Sequence, residues 1–177
     1  MLEYLDTFFD GNSKGQFYCL QPIVVKEVTI EGEKWLEVID GQQRLTTILI
    51  LMKVFDQLNA PKFGSPKTHN YTIRYATRPS IQNIFDTITI TLDPSTNKAV
   101  IDDSKNQWPG IIDSLYIYNA AKTILNWFNA EQQRGFRYGQ YFYNTINSGN
   151  KSVQVVWYET NENKDPHDIF NRMNSLK

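Results

Sequence analysis

The dipeptide Asp40-Gly41 separates a strand-like segment from a helix-like segment, and this junction constrains the fold more than any other feature. Residues 35–39 form a short apolar run, and residues 45–58 carry apolar side chains around most of a helix. Because a helix that is apolar on most sides must be buried, residues 45–58 are predicted to form a core helix. The first backbone amides of a helix have no partner within it, so this turn can present them to an anion.

The residues that follow the turn indicate what kind of anion could bind. Arg44 lies in the predicted first helical turn, directly after Gln42 and Gln43. The helix dipole is positive there and disfavours a cation, and a bound phosphate would reverse that penalty. The pattern therefore predicts a site for nucleotide phosphates. A structural interpretation stays open, in which Asp40 is the N-cap and Gln43 reaches back to it in a capping box.

Residues 39–47, Ile-Asp-Gly-Gln-Gln-Arg-Leu-Thr-Thr, resemble the signature of the GmrSD-type restriction endonuclease N-terminal domain family. Three further segments, 17–25, 155–159 and 169–174, resemble family segments and occur in the expected order. The family is similar in fold to ParB-like nucleases and sulfiredoxin. The resemblance implies a single ParB-like, nucleotide-binding domain over residues 1–177, in which a small mixed β-sheet packs with several α-helices.

In that family the Asp-Gly-Gln-Gln-Arg element is associated with nucleotide binding and hydrolysis, coupled to cleavage of foreign or modified phage DNA. The resemblance thus implies a nucleoside triphosphate, GTP or ATP, with Mg²⁺, and DNA as a partner through a separate nuclease domain or subunit. The implied catalytic residues are Asp40, Gln42, Gln43 and Arg44. The implied nucleotide-binding residues are Gly41, Arg44, Thr46, Arg172 and Asn174. The candidate Mg²⁺ ligands are Asp40, which could instead cap the helix, and Glu159, which could instead be an ordinary charge at a strand end.

The chain departs from the family pattern at both ends. Family members usually carry an Ile-Pro-x-Tyr-Gln-Arg-like element upstream of the position of Leu2, and they continue beyond residues 169–174 into further helices. Many also carry a nuclease domain of His-Asn-His type, and no such motif is visible in this sequence. These differences predict a truncated family domain that cuts no DNA alone. They also predict self-association through apolar surface on a helix over residues 2–9 and after Phe170.

A second candidate function is a nucleic-acid-binding module without hydrolysis. Residues 61–78 combine several cations and His69 with interleaved aromatic residues and contain no acidic residue. Such a composition is typical of a nucleic-acid surface. The candidate contacts are Lys62, Lys67, Arg74 and Arg78. The same stretch is even more typical of a solvated loop followed by a strand over residues 71–75. A third interpretation is a non-functional fragment whose motif only caps a helix.

Composition limits the remaining classes of function. The net charge of −1 creates no overall field that attracts DNA, so a DNA partner would need a local patch. The single cysteine, Cys19, excludes an intrachain disulfide and is predicted to be buried. His69 and His167 match no metal-ligand spacing. Sulfiredoxin-type chemistry is excluded because Gln42 and Gln43 occupy the positions where it needs a cysteine. Without a signal peptide or an apolar run of about 20 residues, a cytoplasmic, non-membrane protein is predicted.

The order of the predicted elements also indicates the fold class. Strands come first, helices follow and one strand returns, which favours an α+β fold with a small mixed sheet. Pro22 predicts that the first strand is an edge strand or contains a bulge. The predicted elements are a helix over 2–9, a hairpin of 24–30 with 34–39, helices over 79–90, 111–128 and 131–146, a loop over 91–106, a strand over 152–158 and a short helix over 165–173.

Overall fold

The protein has an α+β fold, as predicted from the sequence. The computed structural model describes residues 2–11, 17–63, 71–77, 81–96, 98–103, 112–130 and 150–160. The elements are α1 (Leu2–Asp10), β1 (Phe17–Ile30), β2 (Glu33–Asp40), α2 (Gln42–Phe63), α3 (Ile81–Thr87), β3 (Ile90–Leu92), β4 (Ala99–Ile101), α4 (Ile112–Asn129) and β5 (Ser152–Thr160).

The main sheet is mixed, with strand order β2-β1-β5. Strand β2 runs antiparallel to β1, whereas β5 runs parallel to it. Ile30 pairs with Glu33, so the hairpin between β1 and β2 has a two-residue turn. Both turn residues, Glu31 and Gly32, have positive φ angles of 54° and 84°. This conformation matches the right-handed twist of the strands and confirms the predicted hairpin.

Strand β1 contains a bulge where it faces β5. The pairing changes register between Leu20 and Ile23, so Gln21 and Pro22 lie in the irregular part. Proline has no N–H to donate to a ladder, which explains why the irregularity occurs there. The sequence correctly predicted a bulge at Pro22, but the alternative of an edge strand is wrong because β1 is central.

The hydrophobic core joins the helices to one end of the main sheet. The core face of α2 is buried and packs against α4, which contributes seven buried residues. The buried apolar residues of α2 are Leu49, Ile50, Leu51, Val54 and Phe55. Burial of one such side chain stabilises the fold by about 1.5–3 kcal/mol relative to exposure. The predicted role of this helix as a core element is confirmed.

Helix α1 packs against the core, and this corrects the expectation that its apolar face is exposed. Leu5 and Phe9 are buried, so the apolar face of residues 2–9 is covered and gives no reason for self-association. Trp127 Nε1 donates a hydrogen bond of 2.8 Å to Asp6 Oδ2. Lys151 Nζ donates to the carbonyl oxygens of residues 8, 9 and 11, at the negative end of the helix dipole. The second expected source of self-association, after Phe170, lies outside the described residues.

Three other predictions differ from the structure. Residues 71–75 are irregular rather than a strand, and the hydroxyls of Tyr71 and Tyr75 contact α2. The predicted loop over 91–106 contains the β3–β4 hairpin, whose turn is closed by hydrogen bonds to the Asp93 carboxylate. Cys19 is exposed, because Tyr18 and Leu20 turn toward the core and alternate residues of a strand face opposite sides.

Two predicted helices, over residues 131–146 and 165–173, lie outside the described residues. The helix predicted over 79–90 is shorter in the structure, since α3 ends at Thr87 and β3 begins at Ile90. The helix predicted over 111–128 corresponds to α4. The strand predicted over 152–158 corresponds to β5, which extends to Thr160.

Candidate functional site

The junction between β2 and α2 has the predicted strand–turn–helix geometry. Strand β2 ends at Asp40, and α2 begins at Gln42. The Leu45 N–H donates a hydrogen bond of 2.9 Å to the Gly41 carbonyl, which makes Gly41 the N-cap residue. The capping box with Asp40 as N-cap is therefore wrong, because the Asp40 carboxylate binds the Arg44 side chain instead.

Gly41 is buried at this junction and has a φ angle of 96°. A Cβ atom there would lie 3.1 Å from Ile23 Cγ1, 3.3 Å from Ile23 Cα and 3.4 Å from Arg44 Nη2. Both the backbone conformation and the close approach of β1 thus require glycine. The start of α2 is thereby held directly against the strand that carries the bulge.

The guanidinium group of Arg44 connects three parts of the chain. Nη1 donates to Gln21 Oε1 at 2.6 Å, and Nη2 donates to the Pro22 carbonyl at 2.6 Å and to Asp40 Oδ2 at 3.0 Å. The Arg44 side chain is 25% exposed, and its Nε atom is buried with no acceptor among the described residues. The guanidinium therefore points to the β1 bulge and to the end of β2. Its predicted part in nucleotide binding stays a prediction.

The other motif side chains differ in whether their polar atoms already have hydrogen-bond partners. Gln42 Nε2 donates to the Val38 carbonyl at 2.9 Å. The Thr46 hydroxyl donates to the Gln42 carbonyl at 2.8 Å and lies 2.6 Å from the Tyr75 hydroxyl. Gln43 is exposed, and no described residue hydrogen-bonds to its side-chain amide. Gln43 is thus the motif side chain most accessible to a ligand.

Residues 71–75 lie beside the first turns of α2. The Tyr71 hydroxyl donates to the Leu45 carbonyl at 3.0 Å, and burial raises the pKa of the Tyr71 phenol, so it remains a donor. Arg74 lies between Tyr71 and Tyr75 along the chain. It is exposed, and its guanidinium carbon lies 5.6 Å from the centre of the Trp35 ring. Sequence reasoning missed these contacts with α2 and β2, since nothing in the local pattern links residues so far apart along the chain.

The structure brings only part of the predicted site together. Of the predicted nucleic-acid contacts, Arg74 has a described side chain, and Lys62 lies in the described backbone of α2. The predicted contacts that lie outside the described residues are Lys67, Arg78, Arg172 and Asn174.

The two candidate metal ligands lie on opposite sides of β1. Asp40 pairs with Val24 and Glu159 pairs with Val25, so the central strand separates them. Neighbouring positions of a strand face opposite sides of the sheet, which argues against a metal ion shared by both carboxylates. Within the described ranges, no cluster of three or more histidine, cysteine or acidic residues is arranged to hold a metal ion.

None of the helices in the described part of the chain is long and apolar enough to cross a membrane.

Comparisons with known proteins identify the family. No curated protein and no solved structure matches the chain with significant similarity. The model of the N-terminal domain of GmrSD restriction endonucleases matches residues 2–177. Because this match covers nearly the whole chain and agrees with the motif at the β2–α2 junction, the chain belongs to the GmrSD restriction endonuclease N-terminal domain family.

Proposed function

We propose that this chain is the nucleotide-binding domain of a DNA-restriction system of the phage-defence type, and that it binds and hydrolyses GTP or ATP. The observation that carries the proposal is the β2–α2 junction. There, the amides of residues 42–44 precede the first backbone bond of α2, and the Arg44 guanidinium pairs with Asp40, the last residue of β2. Family membership supports the restriction context.

The electrostatics of the junction favour an anion. Helix α2 spans Gln42–Phe63 and has no acidic residue in its first turn. The positive end of its dipole is therefore not neutralised from within the helix. Asp40 lies just before the helix, but its carboxylate is paired with Arg44. Phosphate oxygens could accept hydrogen bonds from the free amides in the way known for other helix N-termini.

Hydrolysis requires a group that orients water and a counter-charge for the phosphates. Gln43 is the better candidate for orienting water, since the Gln42 amide nitrogen already donates to the Val38 carbonyl. Mg²⁺ binds nucleotides mainly through phosphate and water oxygens, with one or two carboxylates from the protein. The residues present fit this arrangement with Asp40 as the protein ligand, and Mg²⁺ would neutralise phosphate charge there.

Isothermal titration of the chain with GTP and ATP, each with Mg²⁺, tests the proposal. Gln43→Glu adds a negative charge to the exposed first turn of α2, and we expect it to weaken binding by about 1 kcal/mol, or roughly fivefold. Thr29→Glu is the matched control, because Thr29 is exposed on β1 far from the junction. Absence of binding by the parent chain, or equal affinities for the parent and Gln43→Glu, would contradict the proposal.

A second candidate, a nucleic-acid contact without hydrolysis, is favoured by the exposed Arg74 stacked on Trp35. Arginine–aromatic pairs of this kind offer a surface on which bases stack and phosphates bind. The same titrations with single-stranded DNA separate the two functions. Binding of DNA that is unchanged by Gln43→Glu and lost in Arg74→Ala would assign the chain to this second class.

A further inference from the structure

Of the three acceptors that bind Arg44, Gln21 differs from Asp40 in charge and from both Asp40 and Pro22 in exposure. Asp40 contributes a carboxylate, and Pro22 contributes a backbone carbonyl that is part-buried. Gln21 contributes a neutral side-chain amide oxygen, 2.6 Å from Nη1, and its side chain is exposed. The contact between Gln21 and Arg44 is therefore the part of this network that a ligand from solvent can reach and replace.

The bulge in β1 allows Gln21 to move without disrupting the sheet. Between the Leu20–Val155 pair and the Ile23–Trp157 pair, β1 has two residues where β5 has one. Gln21 is one of these two residues, so it has no regular partner across the ladder. Its side chain can leave Arg44 while the flanking pairs stay in register.

A phosphate oxygen is a stronger acceptor than an amide oxygen for a guanidinium N–H, because both partners are then charged. We infer that the Gln21–Arg44 hydrogen bond is an autoinhibitory contact, in which Gln21 Oε1 occupies the position on Arg44 Nη1 that a nucleotide phosphate takes. This inference rests on the proposed function, since it concerns the same phosphate site. Asp40 and the Pro22 carbonyl keep the guanidinium in place during the exchange.

The autoinhibitory contact predicts that different substitutions of Gln21 change the affinity for nucleotide in opposite directions. Gln21→Ala removes the acceptor that competes with phosphate, and so does Gln21→Met, which keeps the length of the side chain. Both substitutions should therefore tighten nucleotide binding. The expected gain is about two- to tenfold, the range of one ordinary hydrogen bond. Gln21→Glu should weaken binding by about tenfold, because its carboxylate pairs with Arg44 and repels phosphate.

The test is isothermal titration of the full 177-residue chain with GTP·Mg²⁺, ATP·Mg²⁺ and inorganic pyrophosphate. Thr29→Ala and Thr29→Glu are controls for side-chain removal and for added charge on the same strand, and both should bind like the parent. Thermal melts of each variant establish that it is folded at the titration temperature. Tighter binding by both Gln21→Ala and Gln21→Met, with weaker binding by Gln21→Glu, supports the autoinhibitory contact.

The failures of the two proposals can be told apart. If the parent binds and the Gln21→Ala and Gln21→Met variants bind equally or more weakly, the autoinhibitory contact is wrong and the proposed function stands. If neither the parent nor any Gln21 variant binds a phosphate compound, both proposals are wrong. If the parent fails to bind and Gln21→Ala binds, the proposed function is wrong for the parent chain, and the autoinhibitory contact is supported.

Discussion

At the residue scale, Arg44 shows how a locally unfavourable residue is stabilised by long-range contacts. A cation in the first turn of a helix meets the positive end of the dipole. Asp40 offsets this penalty through an ion pair of 3.0 Å, and two further acceptors come from the β1 bulge. Arg44 therefore connects the start of α2 to the central strand.

Arg44→Ala should lower both stability and nucleotide affinity. The substitution removes three hydrogen bonds to a charged, largely buried group, and loss of one such bond costs about 1.5–3 kcal/mol. Urea denaturation gives the change in unfolding free energy, and titration below the transition gives the change in affinity. Lys34→Ala is the control, since it removes an exposed ion pair with Glu27 and should change stability little. Unchanged stability of Arg44→Ala would contradict the described network.

At the scale of elements, two glycine turns have the same backbone requirement but different surroundings. Gly32 in the β1–β2 turn and Gly41 in the β2–α2 turn both have positive φ angles. A Cβ atom on Gly32 would meet no atom within 4 Å, whereas one on Gly41 would press on the side chain and backbone of Ile23. The β1–β2 turn requires only a positive φ angle, whereas the β2–α2 turn also requires the absence of a side chain next to Ile23.

Gly32→Ala and Gly41→Ala form a matched pair that separates these two effects. Gly32→Ala should cost about 1–2 kcal/mol of unfolding free energy from backbone strain alone. Gly41→Ala should cost a further 1–3 kcal/mol or so, because the added methyl group overpacks the contact with Ile23. Chemical denaturation of both variants measures the difference. Equal losses would show that β1 does not pack tightly against the start of α2.

At the scale of the whole molecule, family membership connects the chain with a restriction endonuclease system. The chain belongs to the GmrSD N-terminal family. In the described ranges no cluster of metal ligands is present, and the sequence has no His-Asn-His-type motif. That DNA cleavage depends on another domain or subunit stays a prediction from the sequence.

The purified chain should not cleave DNA. Incubation with glucosylated, methylated and plain phage DNA, with Mg²⁺ or Mn²⁺ and with GTP or ATP, should leave every substrate intact on a gel. A commercial nuclease in the same buffers is the positive control. Reproducible cleavage that disappears in Asp40→Asn would place the nuclease chemistry within these residues and contradict this expectation.

The sequence by itself determined the features that depend on neighbouring residues. The apolar periodicity of residues 45–58 indicated a buried helix, and the Asp40-Gly41 pair located its start to within a few residues. The Glu31-Gly32 turn indicated the hairpin, and Pro22 indicated the bulge. These features were predictable because side-chain periodicity and turn conformation are determined by residues that are close together along the chain.

The tertiary structure alone decided what the site residues contact. Arg44 and Gln21 are 23 residues apart, and Thr46 and Tyr75 are 29 residues apart. Their contacts depend on the register of β1 and on the path of residues 71–75, neither of which has a local signature. The sequence could therefore place Arg44 in the first turn of α2, but the direction of its guanidinium followed only from the packing of that turn against β1.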